Sequence, residues 1–433
     1  MPEVQSDKVA IVGGGWAGIA CAVELAGQGV PVGLFESARQ LGGRARRVDW
    51  NGLAIDNGQH LMIGAYRETL RLLKKLGTFD RLERRKLDLV LPDFRLRLPR
   101  LPSPLHLGIG LLAANGLHLR DKFAAASFMR YLQALNFKLP FDSSVEELLA
   151  QQKQPDNLVE KLWAPLCIAS LNTPTAKASA QVFCNVLRES LAGPRENSDL
   201  LLNRVDLGYL LPDAATTFLG HHKGEIHLGC TVEAVSRVQQ GFHLTGPAIT
   251  CKKIVLAPHP ARLSALLAGL PEMTDFIRRI SDYTWQPILT LWLRFSATPH
   301  FPYPMLALGD SSSPWAFERS DIAPGIVSLV MSADGPHLEQ PAEQLRDQYL
   351  ALLARQIGPL PELINWKTII EKRATYTCIP NQFRPGNRTP IDGLYLAGDY
   401  TAGVDPTATY PATLEGAVRS GVECARLILA DRK

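Results

Sequence analysis

The chain has 433 residues, more than one hydrophobic core usually serves, so two domains are expected. Its 46 Lys+Arg against 42 Asp+Glu leave a net charge of +4 with no long basic run, which gives no footing for a nucleic-acid partner. Seven scattered cysteines without a CxxC pair indicate neither a metal site nor a disulfide framework, and no apolar run reaches the roughly eighteen residues of a membrane span. A cytoplasmic protein, soluble or peripherally attached, is the expectation.

In chain order, the first predicted elements are a strand at 9–12, the turn Gly13-Gly14-Gly15-Trp16-Ala17-Gly18, and a helix carrying Ala20, Val23, Leu25 and Ala26. In the spacing Gly13-x-Gly15-x-x-Gly18 the first glycine makes the tight turn. The second lets backbone N–H groups approach a pyrophosphate, and the third lets helix and strand pack closely. The phosphates then sit at the helix N-terminus, at Trp16 and Ala17. A second strand at 32–35 delivers Glu36, eighteen residues beyond Gly18, where a carboxylate takes the ribose hydroxyls of an adenosine and repels a 2′-phosphate. Together these features predict dinucleotide binding.

Next comes Leu41-Gly42-Gly43-Arg44-Ala45-Arg46. Its glycine pair and guanidinium either reach a diphosphate or a flavin ring, or form a tight turn with a solvated arginine. Asp56-Asn57-Gly58-Gln59-His60 follows, and Leu70, Leu72, Leu73 and Leu76 then mark a helix over 66–76. The stretch 81–112 combines Arg81, Arg84, Arg85, Lys86, Arg95, Arg97 and Arg100 with four prolines and an apolar run at 105–112. That is the pattern of peripheral membrane contact, and equally of a solvated face beside a buried helix. Helices are expected at 121–135, 145–150, 158–167 and 179–191, making 86–204 a mostly helical insertion. Within it Gly108-Ile-Gly110-Leu-Leu-Ala113 mimics the nucleotide turn without a strand before it or an acid after it, so no second nucleotide site is assigned.

From 224 the pattern is β: 225–228, 232–238, 241–245 and 253–257. Further strands are expected at 288–295, 326–331 and 367–376, with a helix at 342–356. The last segment runs from a strand that begins at Leu394 and ends in Gly398-Asp399 to Pro411-Ala412-Thr413-Leu414-Glu415-Gly416-Ala417. It reads as a helix N-terminus suited to the flavin C2 carbonyl, or as an ordinary closing strand and helix.

The spaced glycines of the turn, Glu36, Gly42-Gly43-Arg44, Ala397-Gly398-Asp399 and Leu414-Glu415-Gly416-Ala417 together resemble the amine oxidase and phytoene desaturase superfamily of FAD enzymes, from one end of the chain to the other. The resemblance implies an α/β fold in which a discontinuous Rossmann-like FAD domain (1–85, 205–270, 386–433) carries an inserted α+β substrate domain (86–204, 271–385). Within the superfamily the chain resembles bacterial hydroxysqualene dehydroxylases. That narrower likeness rests on the run from Asp56 to Tyr66, on Leu162-Trp163-Ala164-Pro165-Leu166-Cys167, on Leu171-Asn172-Thr173, and on Asp399-Tyr400-Thr401. The cofactor set expected on this pattern is Gly13, Gly15, Trp16, Ala17, Gly18, Glu36, Gly43, Arg44, Gly58, His60, Val232, Gly398, Asp399, Thr413 and Leu414.

Two departures from amine oxidases are visible. No lysine stands between Lys253 and Lys367, where many such enzymes hold a water near the flavin, and Thr413 replaces an aromatic of the amine cage. The resemblance implies an apolar isoprenoid substrate, hydroxysqualene, whose allylic hydroxyl is replaced by hydride from FADH2 that an external donor regenerates. A desaturase of an apolar isoprenoid and a non-catalytic prenyl carrier are the other readings. A proton donor is needed, and His60 and Tyr66 are the candidates beside their structural alternatives, a hydrogen bond and core packing.

Overall fold

The computed structural model describes residues 5–6, 8–310, 313–403 and 409–431. At its centre is a parallel five-stranded sheet, ordered Glu225–Leu228, Val32–Glu36, Val9–Val12, Ile254–Leu256 and Leu394–Leu396. The inner strands are short unbroken apolar runs because both of their faces are covered. Three distant stretches of chain supply them, so this sheet is discontinuous in sequence. The first and last helices, Trp16–Gly27 and Leu414–Ala430, pack against each other on this sheet. A methyl group on Gly421 would stand 2.1 Å from the Ala17 carbonyl oxygen, so glycine sets how closely the two helices approach.

The chain leaves this unit after Leu82–Arg85 and returns through Leu200–Asn203, which pairs antiparallel with it. Between them lie the hairpin Asp88–Leu91/Phe94–Arg97 and the helices Leu105–Ala113, Leu119–Ala134, Val145–Gln151, Ala164–Leu171 and Ala180–Leu187. The insertion is therefore helical after an opening hairpin that the expectation of 86–204 as mostly helical did not include. Gly108 and Gly110 lie inside the Leu105–Ala113 helix and not in a turn.

A second sheet, antiparallel throughout, is ordered Met305–Ala307, Trp315–Glu318, Ile326–Ser332, Trp285–Phe295 and Leu363–Tyr376. Strand alternation explains its two faces. Leu289, Leu291 and Leu293 join Leu345, Tyr349 and Leu353 of the covering helix Ala342–Ile357, while Ile288, Thr290 and Trp292 point the other way. Val232 was expected to open a strand. It lies instead in a loop, held beside the central sheet by the hydrogen bond from Cys230 N to Glu36 O (2.9 Å), and the strand begins at Ala234. Among the described residues no helix is long and apolar enough to cross a membrane.

Candidate functional site

The turn after Val9–Val12 opens onto a cavity of about 880 Å³. Gly13 has φ +108°, and a Cβ there would meet the Ala257 carbonyl oxygen at 2.5 Å, so only glycine fits. Gly18 does not line the cavity. A Cβ on it would lie 1.9 Å from Gly13 O, which makes it the packing glycine of the turn. At Gly15, by contrast, a Cβ meets nothing within 4 Å and would project into open cavity. The helix starting at Trp16 has no side-chain cap and no acid in its first turn, which leaves first-turn N–H donors for an anion. Glu36, at the end of its strand, is fixed by Gly14 N (2.6 Å) and Ala38 N (2.8 Å) while still lining the cavity.

Gly42 and Gly43 both take positive φ, +114° and +60°, and Gly42 N donates to Gly14 O (2.8 Å), so the second glycine turn lies on the first. Arg44 leaves this turn into the cavity wall, where it is tied rather than solvated. It pairs with Asp399 Oδ2 (2.7 Å) and donates to Ala374 O (2.8 Å), joining the beginning, end and second sheet of the chain. The Asn57 side chain clamps this loop through Arg44 O (2.7 Å) and Arg46 N (3.1 Å). The other carboxylate oxygen, Asp399 Oδ1, is buried without a partner, an acceptor left for a ligand hydroxyl.

Gly58, Gln59 and His60 also line the cavity, as do Thr413 and Leu414. A side chain at Gly58 would fill the notch between Thr290 Oγ1 (3.6 Å) and His60 Nε2 (3.9 Å). Burial, and secondarily the Arg44 charge, push the His60 imidazole down to about 4. His259, its ring tilted against that of Trp285 with centroids 4.3 Å apart, is held at about 4 by the same two causes. Thr413 also caps the closing helix, its Oγ1 accepting from Gly416 N at 3.1 Å.

Tyr66 does not reach the cavity wall. It precedes the Arg67–Lys75 helix, packs against the core of the central sheet and hydrogen-bonds the Thr413 side chain, with burial raising its phenol. The expected cofactor residues other than Gly18 all line the one cavity, Val232 included. Sequence reasoning missed Asn57, Gln59 and His259, and with them Glu371, Arg373 and Thr375, which alternate along Leu363–Tyr376 and turn one strand face to the cavity. No polar/apolar alternation marked them in the sequence, since Lys372 between Glu371 and Arg373 is charged as well. Among the described residues no lysine lines the cavity. The uncapped N-terminus of the first helix, the open space at Gly15, the Glu36 carboxylate and the orphaned Asp399 oxygen together fit FAD.

The profile of the family described as flavin containing amine oxidoreductase matches residues 16–429. The chain is 28% identical to the hydroxysqualene dehydroxylase of Rhodopseudomonas palustris (strain ATCC BAA-98 / CGA009), over 98% of this chain and 99% of that protein. It is 24% identical to the 15-cis-phytoene desaturase of Glycine max, over 98% of this chain and 80% of that one. Among solved structures, cyclohexylamine oxidase from Brevibacterium oxydans IH-35A superposes with a TM-score of 0.71 at 16% identity, covering all of both chains.

Proposed function

This chain belongs to the flavin containing amine oxidoreductase family, and from that premise we propose that it removes the allylic hydroxyl of hydroxysqualene reductively to give squalene. It is an FAD-dependent oxidoreductase. The observation that carries the finer reading is the end-to-end match to a hydroxysqualene dehydroxylase, which leaves almost no part of either chain unaligned. The lysine-free cavity agrees with a substrate that is not an amine.

In this reading the first-turn donors of the Trp16–Gly27 helix hold the diphosphate and Glu36 the adenosine ribose. Asp399 Oδ1, kept in place by Arg44, takes a hydroxyl of the chain between diphosphate and ring. With Thr413 and Leu414 lining the cavity, the N-terminus of the closing helix would stabilise negative charge on the reduced ring. The reduced cofactor supplies hydride. The C–O bond of the allylic alcohol breaks, carbon gains that hydride, and oxygen leaves as water after taking one proton. His60 is the cavity-facing donor of that proton, since Tyr66 lies behind Thr413. Because the surroundings hold His60 neutral at pH 7, donation requires protonation of the ring. Single-turnover rates should therefore rise as pH falls and level off below the ring's pKa, and His60→Ala should abolish that slope.

The test is anaerobic. Chemically reduced enzyme mixed with hydroxysqualene should regain the oxidised flavin spectrum and yield one squalene per flavin. A second reading, oxidative desaturation of an apolar isoprenoid, is favoured by the likeness to phytoene desaturase. It takes over if oxidised enzyme converts a saturated isoprenoid to a conjugated product while reduced enzyme leaves hydroxysqualene untouched.

A further inference from the structure

We propose that the ridge made by the Leu105–Ala113 helix and the first turns of the Leu119–Ala134 helix is a docking surface for anionic lipid. Leu105, Ile109 and Leu112 stand at i, i+4 and i+7, and Leu119 and Phe123 at i, i+4, so each set occupies one face of its helix. All five side chains are between 44% and 70% exposed. The two faces adjoin: Lys122 Nζ donates to the Leu112 carbonyl oxygen at 2.7 Å, tying the end of the first helix to the start of the second.

This orientation is locked. The opposite face of the first helix, with His106, Gly110 and Leu111, is buried, and a Cβ on Gly110 would meet Leu98 Cδ2 at 2.6 Å and Arg97 O at 3.2 Å. The helix therefore lies directly on the strand end at Arg97 and does not roll to hide Leu105, Ile109 and Leu112. Contiguous exposed apolar surface of this kind marks an interaction site.

The occupant is chosen by charge. From 94 to 141 the chain carries seven Lys/Arg and one carboxylate, Asp121, which is buried. Arg120 is 79% exposed, with its nearest carboxylate contact at 3.8 Å, and Arg97 is likewise 3.8 Å from Asp88. Arg95 is paired with Asp88, but an excess of positive charge remains, and a second copy would bring the same excess to a self-complementary contact. A bilayer surface with anionic headgroups offers both the apolar depth and the opposite sign, and these short helices suit shallow interfacial insertion.

The ridge lies at the end of the stretch 81–112 and runs past it. Arg84 and Arg85, at its beginning, sit in a paired strand and are engaged by Asp199 and Glu83, so they are not part of the ridge.

The experiment is flotation of the FAD-loaded full chain with vesicles of phosphatidylcholine, alone or mixed with phosphatidylglycerol. Salt-sensitive binding to the mixed vesicles is expected. Each ridge cation contributes roughly fivefold in partitioning, so the triple variant Arg97→Gln/Arg100→Gln/Arg120→Gln should bind roughly a hundredfold less. Leu112→Asp/Phe123→Asp, at exposed positions that leave melting temperature and flavin content unchanged, should lose at least about tenfold. Arg84→Gln/Arg85→Gln should bind as the wild type does. Equal or absent wild-type binding to the two vesicle types overturns the proposal, as does wild-type behaviour of the Leu112/Phe123 variant. So does a wild-type dimer that this variant dissociates, which would make the ridge an interface between copies.

Discussion

A methyl group at Gly18 would sit 1.9 Å from the Gly13 carbonyl oxygen, while one at Gly15, three residues earlier, meets no atom within 4 Å. The two substitutions should separate stability from cofactor binding. Gly18→Ala forces helix and turn apart and should cost about 1–3 kcal/mol or more, read as a lower melting temperature. Gly15→Ala should melt within about 0.5 kcal/mol of the wild-type apoprotein yet purify without flavin absorbance, because its methyl occupies the space where phosphate approaches backbone. The histidines predict a pH dependence. His60 and His259, both held near 4 by burial, stay neutral when folded but take up protons below 6.5 when unfolded. The unfolded state thus binds more protons between 6.5 and 4, and stability is lost as pH falls through that window. His106 and His337, pushed down by burial, add in the same direction. Asp56, raised by burial to about 6, opposes them with one proton. Urea midpoints of the apoprotein should drop from pH 7 to pH 5, and His60→Gln/His259→Gln should flatten the drop.

Between elements, the closing helix does more than present its N-terminus to a cofactor. Glu415 is fully buried and accepts from Glu68 N (3.1 Å), Thr69 N (2.9 Å) and Thr69 Oγ1 (2.7 Å), so it caps the Arg67–Lys75 helix from another element. Arg419 Nε, 2.6 Å away, neutralises it. Glu415→Ala should therefore cost about 3 kcal/mol in urea unfolding, since it strands a half-buried arginine and two helix N–H donors. Thr413→Ala, which removes the helix's own cap, should cost about 1 kcal/mol. Both should lower flavin occupancy, because Thr413 and Leu414 line the cavity. In the sequence, Leu414-Glu415-Gly416-Ala417 is legible as a cofactor motif through its resemblance to a family. The capping role of Glu415 was not, because its partners stand some 346 residues earlier.

Over the whole molecule one buried cluster runs from Val12 and Phe35 of the central sheet through Phe128, Trp163 and Phe183 of the insertion to Met305 and Val330 of the second sheet. We propose the division into a cofactor domain (1–85, 205–270, 386–433) and a substrate domain (86–204, 271–385) as a description of how the chain is threaded, with the two sharing this core. Calorimetry should accordingly give a single unfolding transition, raised by FAD by about 2.7 kcal/mol of stability when free FAD is one hundred times its dissociation constant. Two separated transitions, only one of them moved by FAD, would mean that the parts unfold independently.

The nucleotide turn was readable from the sequence because its glycine spacing lies within one strand, turn and helix, although the Ala257 carbonyl that excludes a side chain at Gly13 comes from a distant strand. Gly13, Gly15 and Gly18 do their work through backbone conformation and close approach, Glu36 through its carboxylate, all at fixed spacing, and residue type at fixed spacing is what a sequence records. Most helix and strand periods were readable for the same reason, within a few residues at their ends, but not the hairpin Asp88–Leu91/Phe94–Arg97 or the strands Met305–Ala307 and Trp315–Glu318. The tertiary structure alone decided that Tyr66 stands behind Thr413 while His60 faces the cavity, and that Asp399 keeps one oxygen unpartnered. It alone brought Glu371, Arg373 and Thr375 to the cavity from a distant strand. These outcomes depend on the register of the Leu363–Tyr376 strand and on packing between segments hundreds of residues apart, which no local spacing encodes. The same holds for Leu105, Ile109 and Leu112. Their helical period told only that they share a face, and the close contact of Gly110 with Leu98 decided that this face is the exposed one.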